Sequence, residues 1–230
     1  MKRRLRKLEL ALIFLGCVVA AGVQIQAAFA FSPDKGTDPK VLRECISKID
    51  EQIQASGETA SLLGSKAQVL EWLQEPQKAI TVYSQAIEMS PKNPGYLLGR
   101  ARSYRRLKEW SRALSDYDAT MALGYSKAEA YVGRALTLLS LSKFERALAD
   151  AKHAIELDSA DSAAWFAKGN AELELGSLKE CVESISRAIQ LKPGEPAFFQ
   201  LRREAYLRLG DKSNASSDLA SLKQFSKTTK

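Results

Sequence analysis

Residues 162–195 read SAAWFAKGNAELELGSLKECVESISRAIQLKPGE. Trp165, Gly169, Leu175, Leu178, Cys181, Ile185, Ala188 and Leu191 recur along this stretch at helical spacing. Gly176 interrupts the pattern midway and Pro193 stops it. The stretch therefore predicts two amphipathic helices joined by a tight turn. One such pair cannot enclose its own apolar face and has to stack on a neighbour. The same arrangement returns 34 residues upstream, and keeps returning.

With Ser162 as position 1, five units follow without insertion: 60–93, 94–127, 128–161, 162–195 and 196–229. Position 8 reads Ala67, Ala101, Ala135, Gly169 and Arg203. Position 20 reads Ala79, Ala113, Ala147, Cys181 and Ala215. Position 27 reads Ala86, Thr120, Ala154, Ala188 and Leu222. Large residues fill positions 4, 11, 17 and 24, among them Tyr131, Trp165, Tyr83 and Tyr117. Small residues where helices approach closely, and large ones between them, resemble the tetratricopeptide repeat (TPR). The resemblance implies an all-α fold, a right-handed superhelical solenoid of antiparallel helix pairs whose first helices line a concave groove. In the last unit Arg203 replaces the small residue, and the second helix, Ser213 to Gln224, is polar on most faces, as a terminal cap requires. Residues 226–230 read as a tail. Residues 40–57 read as an N-terminal capping helix, a half repeat with Val41, Leu42, Cys45, Ile46, Ile49 and Ile53 on one face.

The net charge of +7 does not announce a nucleic-acid binder. Lys2, Arg3, Arg4, Arg6 and Lys7 against Glu9 carry more than half of it, and no basic stripe interleaved with aromatics follows. Those residues open a different pattern. A basic run, an apolar run from Leu10 to Val23 and an Ala28-Phe29-Ala30 site make residues 1–30 an export signal. The reading favours cleavage before Phe31. The alternative is an uncleaved membrane anchor over Leu10–Phe31, which is long enough to span. A weaker third reading makes Cys17 a lipidation site. All three put the repeats outside the cytoplasm, periplasmic or secreted, or on the outer face of its membrane. Residues 31–39 form a linker rich in turn formers.

Cys45 and Cys181 lie four repeat lengths apart, too far for a disulfide, and read as buried free thiols. Position 7 is always basic: Lys66, Arg100, Arg134, Lys168 and Arg202. Position 23 is Asp wherever position 7 is Arg, which predicts the structural pairs Arg100–Asp116, Arg134–Asp150 and Arg202–Asp218.

Catalytic chemistry has no foothold. His153 is the one histidine and reads as a surface or packing residue. There is no CxxC, HExxH or glycine-rich phosphate loop, so the chain reads as a non-enzyme without cofactor or metal. The candidate site is the groove that the resemblance implies, at Gln68, Trp72, Leu98, Arg102, Arg105, Arg106, Leu136, Leu139, Phe166 and Asn170. Gly95 and Gly99 are expected to leave room beside the arginines. Arginine forks match carboxylates, so the expected partner is a protein or peptide with an acidic portion and hydrophobic anchors. The family's clamp for chaperone tails is absent at positions 5 and 9. The expectation is an exported scaffold, adaptor or assembly factor; the alternative is a membrane-tethered structural subunit of an envelope complex.

Overall fold

The computed structural model describes residues 38–228, so the expected export signal, most of the linker and the last two residues lie outside the described residues. Among the described residues there are eleven α-helices and no strand. α1 (Pro39–Ser56) stands alone. Ten more follow, two to each 34-residue unit of sequence: α2 (Ala60–Trp72) and α3 (Pro76–Met89), α4 (Pro94–Arg106) and α5 (Trp110–Ala122), α6 (Ala128–Ser140) and α7 (Phe144–Leu157), α8 (Ser162–Glu174) and α9 (Leu178–Leu191), and α10 (Pro196–Arg208) and α11 (Lys212–Thr228). Contacts group the chain into two compact units, one ending at Ser103 and the other beginning at Tyr104, a division that falls within α4. No helix among the described residues is long and apolar enough to cross a membrane.

Local chemistry sets the helix ends. Asp38, Thr59 and Asp161 cap α1, α2 and α8 with side-chain oxygens that accept backbone N–H groups, and prolines open α1, α3 and α10 where no N–H is needed. The turn inside each pair is the same device repeated. Position 15 takes a left-handed backbone at Gln74, Lys108, Ser142, Gly176 and Gly210, with φ between 56° and 79°. The next residue returns a hydrogen bond to the last turns of the first helix, as from Lys143 N to Leu138 O and from Ser177 N to Glu172 O.

In the first unit, α1 lays Leu42, Cys45 and Ile49 on Leu62 and Val69 of α2. Leu63, Ala67, Leu70, Ala79, Tyr83, Ala86 and Tyr96 continue that core. Gly99 leaves no room beside the arginines, which corrects the expectation: a Cβ there would collide with the Tyr83 ring. The same fit recurs in the second unit, where the Tyr117 ring fills the space over Gly133. The alanines at positions 8, 20 and 27 of the inner repeats are fully enclosed, and Ala135, Ala151 and Ala167 pack together between α6, α7 and α8. Further on, Leu173, Cys181, Ile185, Ala188, Phe198 and Ala205 form one cluster.

The expected tail at 226–230 is shorter than that reading held, because α11 runs to Thr228. Phe225 lies 5.4 Å from Phe199 in the last turns, an aromatic contact that extends the helix past its polar stretch.

The cation at position 7 reaches in two directions. Arg134 Nε and Nη2 donate to both Asp150 carboxylate oxygens at 2.7 and 2.8 Å, and its Nη1 donates to Asp118 of the preceding repeat at 2.8 Å. Arg202 grips Asp218 in the same fork and sends Nη1 to Ser186, again one repeat back. Arg100 Nη1 donates to Ser84 and Lys66 Nζ to Asp50, each sixteen residues earlier. Position 25 of the preceding repeat is therefore a partner that position 23 alone did not suggest. The further expected pair, Arg100 with Asp116, has one member in each unit. Lys168 is the exception. Position 23 is Ser184 and position 25 of the preceding repeat is Lys152, so Lys168 turns to Glu172 on its own helix at 2.6 Å.

Candidate functional site

The second unit carries a groove of about 610 Å³. Its walls come from one face of successive first helices and the turns that follow them. Leu136, Leu139 and Ser140 of α6 sit three and four residues apart and so share a face. Asn170 and Glu174 of α8 repeat that spacing on one side, and Arg105 and Arg106 close α4 on the other. Trp110 and Phe144, at the start of α5 and α7, also line the groove.

The electrostatics of the groove are uneven. Arg105 Nε is buried with no hydrogen-bond partner among the described residues. A guanidinium nitrogen shut away from water without an acceptor is costly to leave unmade. Glu174, exposed on the opposite wall, makes no ion pair among the described residues. Arg208 lies beyond it but is committed to Glu204 at 2.9 Å and to the Leu173 carbonyl at 3.4 Å.

The structure brings Arg105, Arg106, Leu136, Leu139 and Asn170 together in this groove. It uses the other expected groove residues differently. Leu98 is only 4% exposed and offers no surface. Arg102 is bound through Nε and Nη2 to Glu71 at 3.2 and 3.0 Å, and the Tyr83 hydroxyl donates to the same carboxylate at 2.7 Å. Arg102 is thus a structural cation of the first unit, satisfied before any partner arrives. Burial, and then the Glu71 charge, hold the Tyr83 phenol well above its ordinary range. Trp72 is half-buried against the α1–α2 cluster. Phe166 rests on Phe198 at 5.2 Å. Gln68 stays partly exposed on α2, in the first unit.

Trp110 and Phe144 were legible only as large residues at position 17, where the pattern assigns them to packing. At the first turn of a second helix they are only partly buried and line the groove, and spacing alone does not distinguish packing from lining. The first unit has its own depression of about 480 Å³, where Lys66 pairs with Asp50 at 2.6 Å and Lys78 with Glu75 at 2.7 Å, so four of its five charged lining residues are already paired and Arg43 is the fifth.

Other reactive groups are quiet. Cys45 and Cys181 are buried free thiols, and burial pushes the Cys181 thiol up to about 12. His153 lies edge-on to Tyr131 at 4.4 Å with Nδ1 3.0 Å from Glu156. No group of three His, Cys, Asp or Glu side chains among the described residues could hold a metal ion.

The sequence pattern of the tetratricopeptide repeat matches residues 65–124 and 132–196, more than half of the chain. The chain belongs to the tetratricopeptide repeat family. No curated protein sequence matches it. Solved TPR structures share its fold. YrrB, described as a TPR protein with an unusual peptide-binding site, is 19% identical with a TM-score of 0.63, over 77% of this chain and 91% of YrrB. MamA from Desulfovibrio magneticus RS-1 is 19% identical with a TM-score of 0.67, over 75% of this chain and 97% of MamA. A TPR protein from Parabacteroides merdae is 20% identical with a TM-score of 0.69, over 87% of this chain and 77% of the other. The TPR array is a protein-interaction scaffold, and the groove lies on the first-helix side of three successive TPR repeats.

Proposed function

We propose that the protein is an exported TPR adaptor or assembly factor that holds a protein or peptide segment in the groove of its second unit, without catalysis. The observation that carries this reading is the juxtaposition of the partly exposed Arg105, which makes no ion pair among the described residues, and the apolar Leu136–Leu139 floor. A carboxylate would pair with the guanidinium groups of Arg105 and Arg106 where they line the groove, and an adjacent hydrophobic side chain would displace water from the leucines. YrrB, which shares the fold, is itself described as having a peptide-binding site. Arg105→Glu together with Arg106→Glu tests the reading. An acidic peptide with leucine anchors should bind the parent by fluorescence anisotropy and lose at least tenfold in affinity with the double variant, whose helicity should be unchanged. Equal affinity would end the groove reading.

The export part of the proposal rests on the basic, apolar and Ala-x-Ala segments of residues 1–30. N-terminal sequencing of protein from its native host tests it. A start at Phe31 supports a free exported adaptor. An intact N-terminus in the membrane fraction supports the second reading, a tethered subunit held by Leu10–Phe31. An intact N-terminus in the cytosol overturns both.

A further inference from the structure

We propose that the groove reads the charge polarity of its partner, taking a segment that is acidic at one end, apolar in the middle and basic at the other. The inference rests on the groove being the binding site and adds what that reading does not contain, a requirement for a cation. The wall formed by α4 ends in Arg105 and Arg106. The opposite wall, two repeats on, ends in Glu174, which has no counter-charge among the described residues because Arg208 is held by Glu204 and the Leu173 carbonyl. Leu136 and Leu139 lie on α6 between the two walls. Asn170, one helical turn before Glu174, offers both a donor and an acceptor to a peptide backbone. A uniformly acidic segment satisfies the arginine wall but sets like charges against Glu174. A segment with opposite charges at its two ends satisfies both walls. Complementary charge at a rim governs selection among partners more than it adds affinity, so the effect should show as discrimination.

Two probes decide it: a peptide with two aspartates, three leucines and two lysines in blocks, and one in which the lysines are replaced by aspartates. The parent protein should bind the bipolar probe about fivefold more tightly, the size expected of one or two exposed charge contacts. Glu174→Lys should reverse that order while leaving helicity unchanged, since Glu174 is exposed. Equal binding of both probes by the parent protein would overturn the polarity proposal and leave the acidic-anchor reading standing. Binding of neither would overturn both. A preference that Glu174→Lys does not alter would also overturn it, because the cation would then be read elsewhere.

Discussion

Two joints of the second unit carry a cation at the same repeat position and use it differently. At the joint between α4–α5 and α6–α7, Arg134 forks onto Asp150 of its own repeat and reaches Asp118 of the preceding one. It spans α5, α6 and α7, and Asp150 raises the guanidinium pKa further above its ordinary value. At the next joint, Lys168 meets Ser184 where Arg134 meets Asp150, and Lys152 occupies the place of Asp118. Its charge goes to Glu172 one turn along its own helix, and no ion pair from it crosses to the earlier repeat among the described residues. Cation position alone therefore does not make a staple. Two acceptors sixteen residues away on either side do, and a lysine, with its point charge, does not replace the planar fork.

The contrast between the joints breaks most forcefully at Arg134. Arg134→Met should cost about 3 kcal/mol, because Asp150 would be left as a buried carboxylate with no cation. A urea midpoint measured by circular dichroism reads this. A loss comparable to that of Lys168→Met would show the two joints to be equivalent.

The glycines at the joints sharpen the contrast. Gly133→Ala drives a methyl into the Tyr117 ring, which is fully enclosed and cannot withdraw. Gly169→Ala meets the Ile185 side chain, with Cδ1 at 2.5 Å and Cγ1 at 2.7 Å; Ile185 is as fully enclosed as Tyr117, but its χ rotations can shift those carbons where a rigid ring has no such freedom. The expected loss is about 2–3 kcal/mol for the first and about 1 kcal/mol for the second. Thermal melts of the two variants should preserve that order.

Cys181 lies beneath the second joint. Its folded thiol pKa is raised from about 9 to about 12 by burial. A raised pKa gives stability that is fully present below about pH 9 and is lost as pH rises toward 12. Cys181→Ala should flatten that part of the alkaline stability profile, and the native thiol should resist aromatic disulfide reagents at pH 8.

The smallest expected effect is also the most pointed. Lys152→Asp places a carboxylate where Asp118 stands at the Arg134 joint. It should stabilise the second joint by about 0.5 kcal/mol, the modest value of a partly exposed pair, and raise amide protection in α8 and α9. No change in protection would mean that the missing acceptor is irrelevant there.

The 34-residue period fixed the helix pairs, the turn at position 15 and the enclosure of Ala135, Ala147, Ala154 and Cys181, because each depends on spacing along one chain. Small residues must lie where helices touch, and a left-handed residue must end each first helix. The sequence also placed Arg105, Arg106, Leu136, Leu139 and Asn170 on the first-helix face that lines the groove. Tertiary structure alone decided which cations remain available. Arg102 and Arg105 look alike in the chain, yet one is committed to Glu71, thirty-one residues earlier, and the other lines the groove with no ion pair among the described residues. It likewise decided that Tyr83 would fill the space over Gly99, that Trp110 and Phe144 would edge the groove, and that Phe225 would hold the last turns of α11. Each of these depends on a meeting between residues distant in sequence, and a repeat pattern carries no record of which distant neighbour reaches a side chain first.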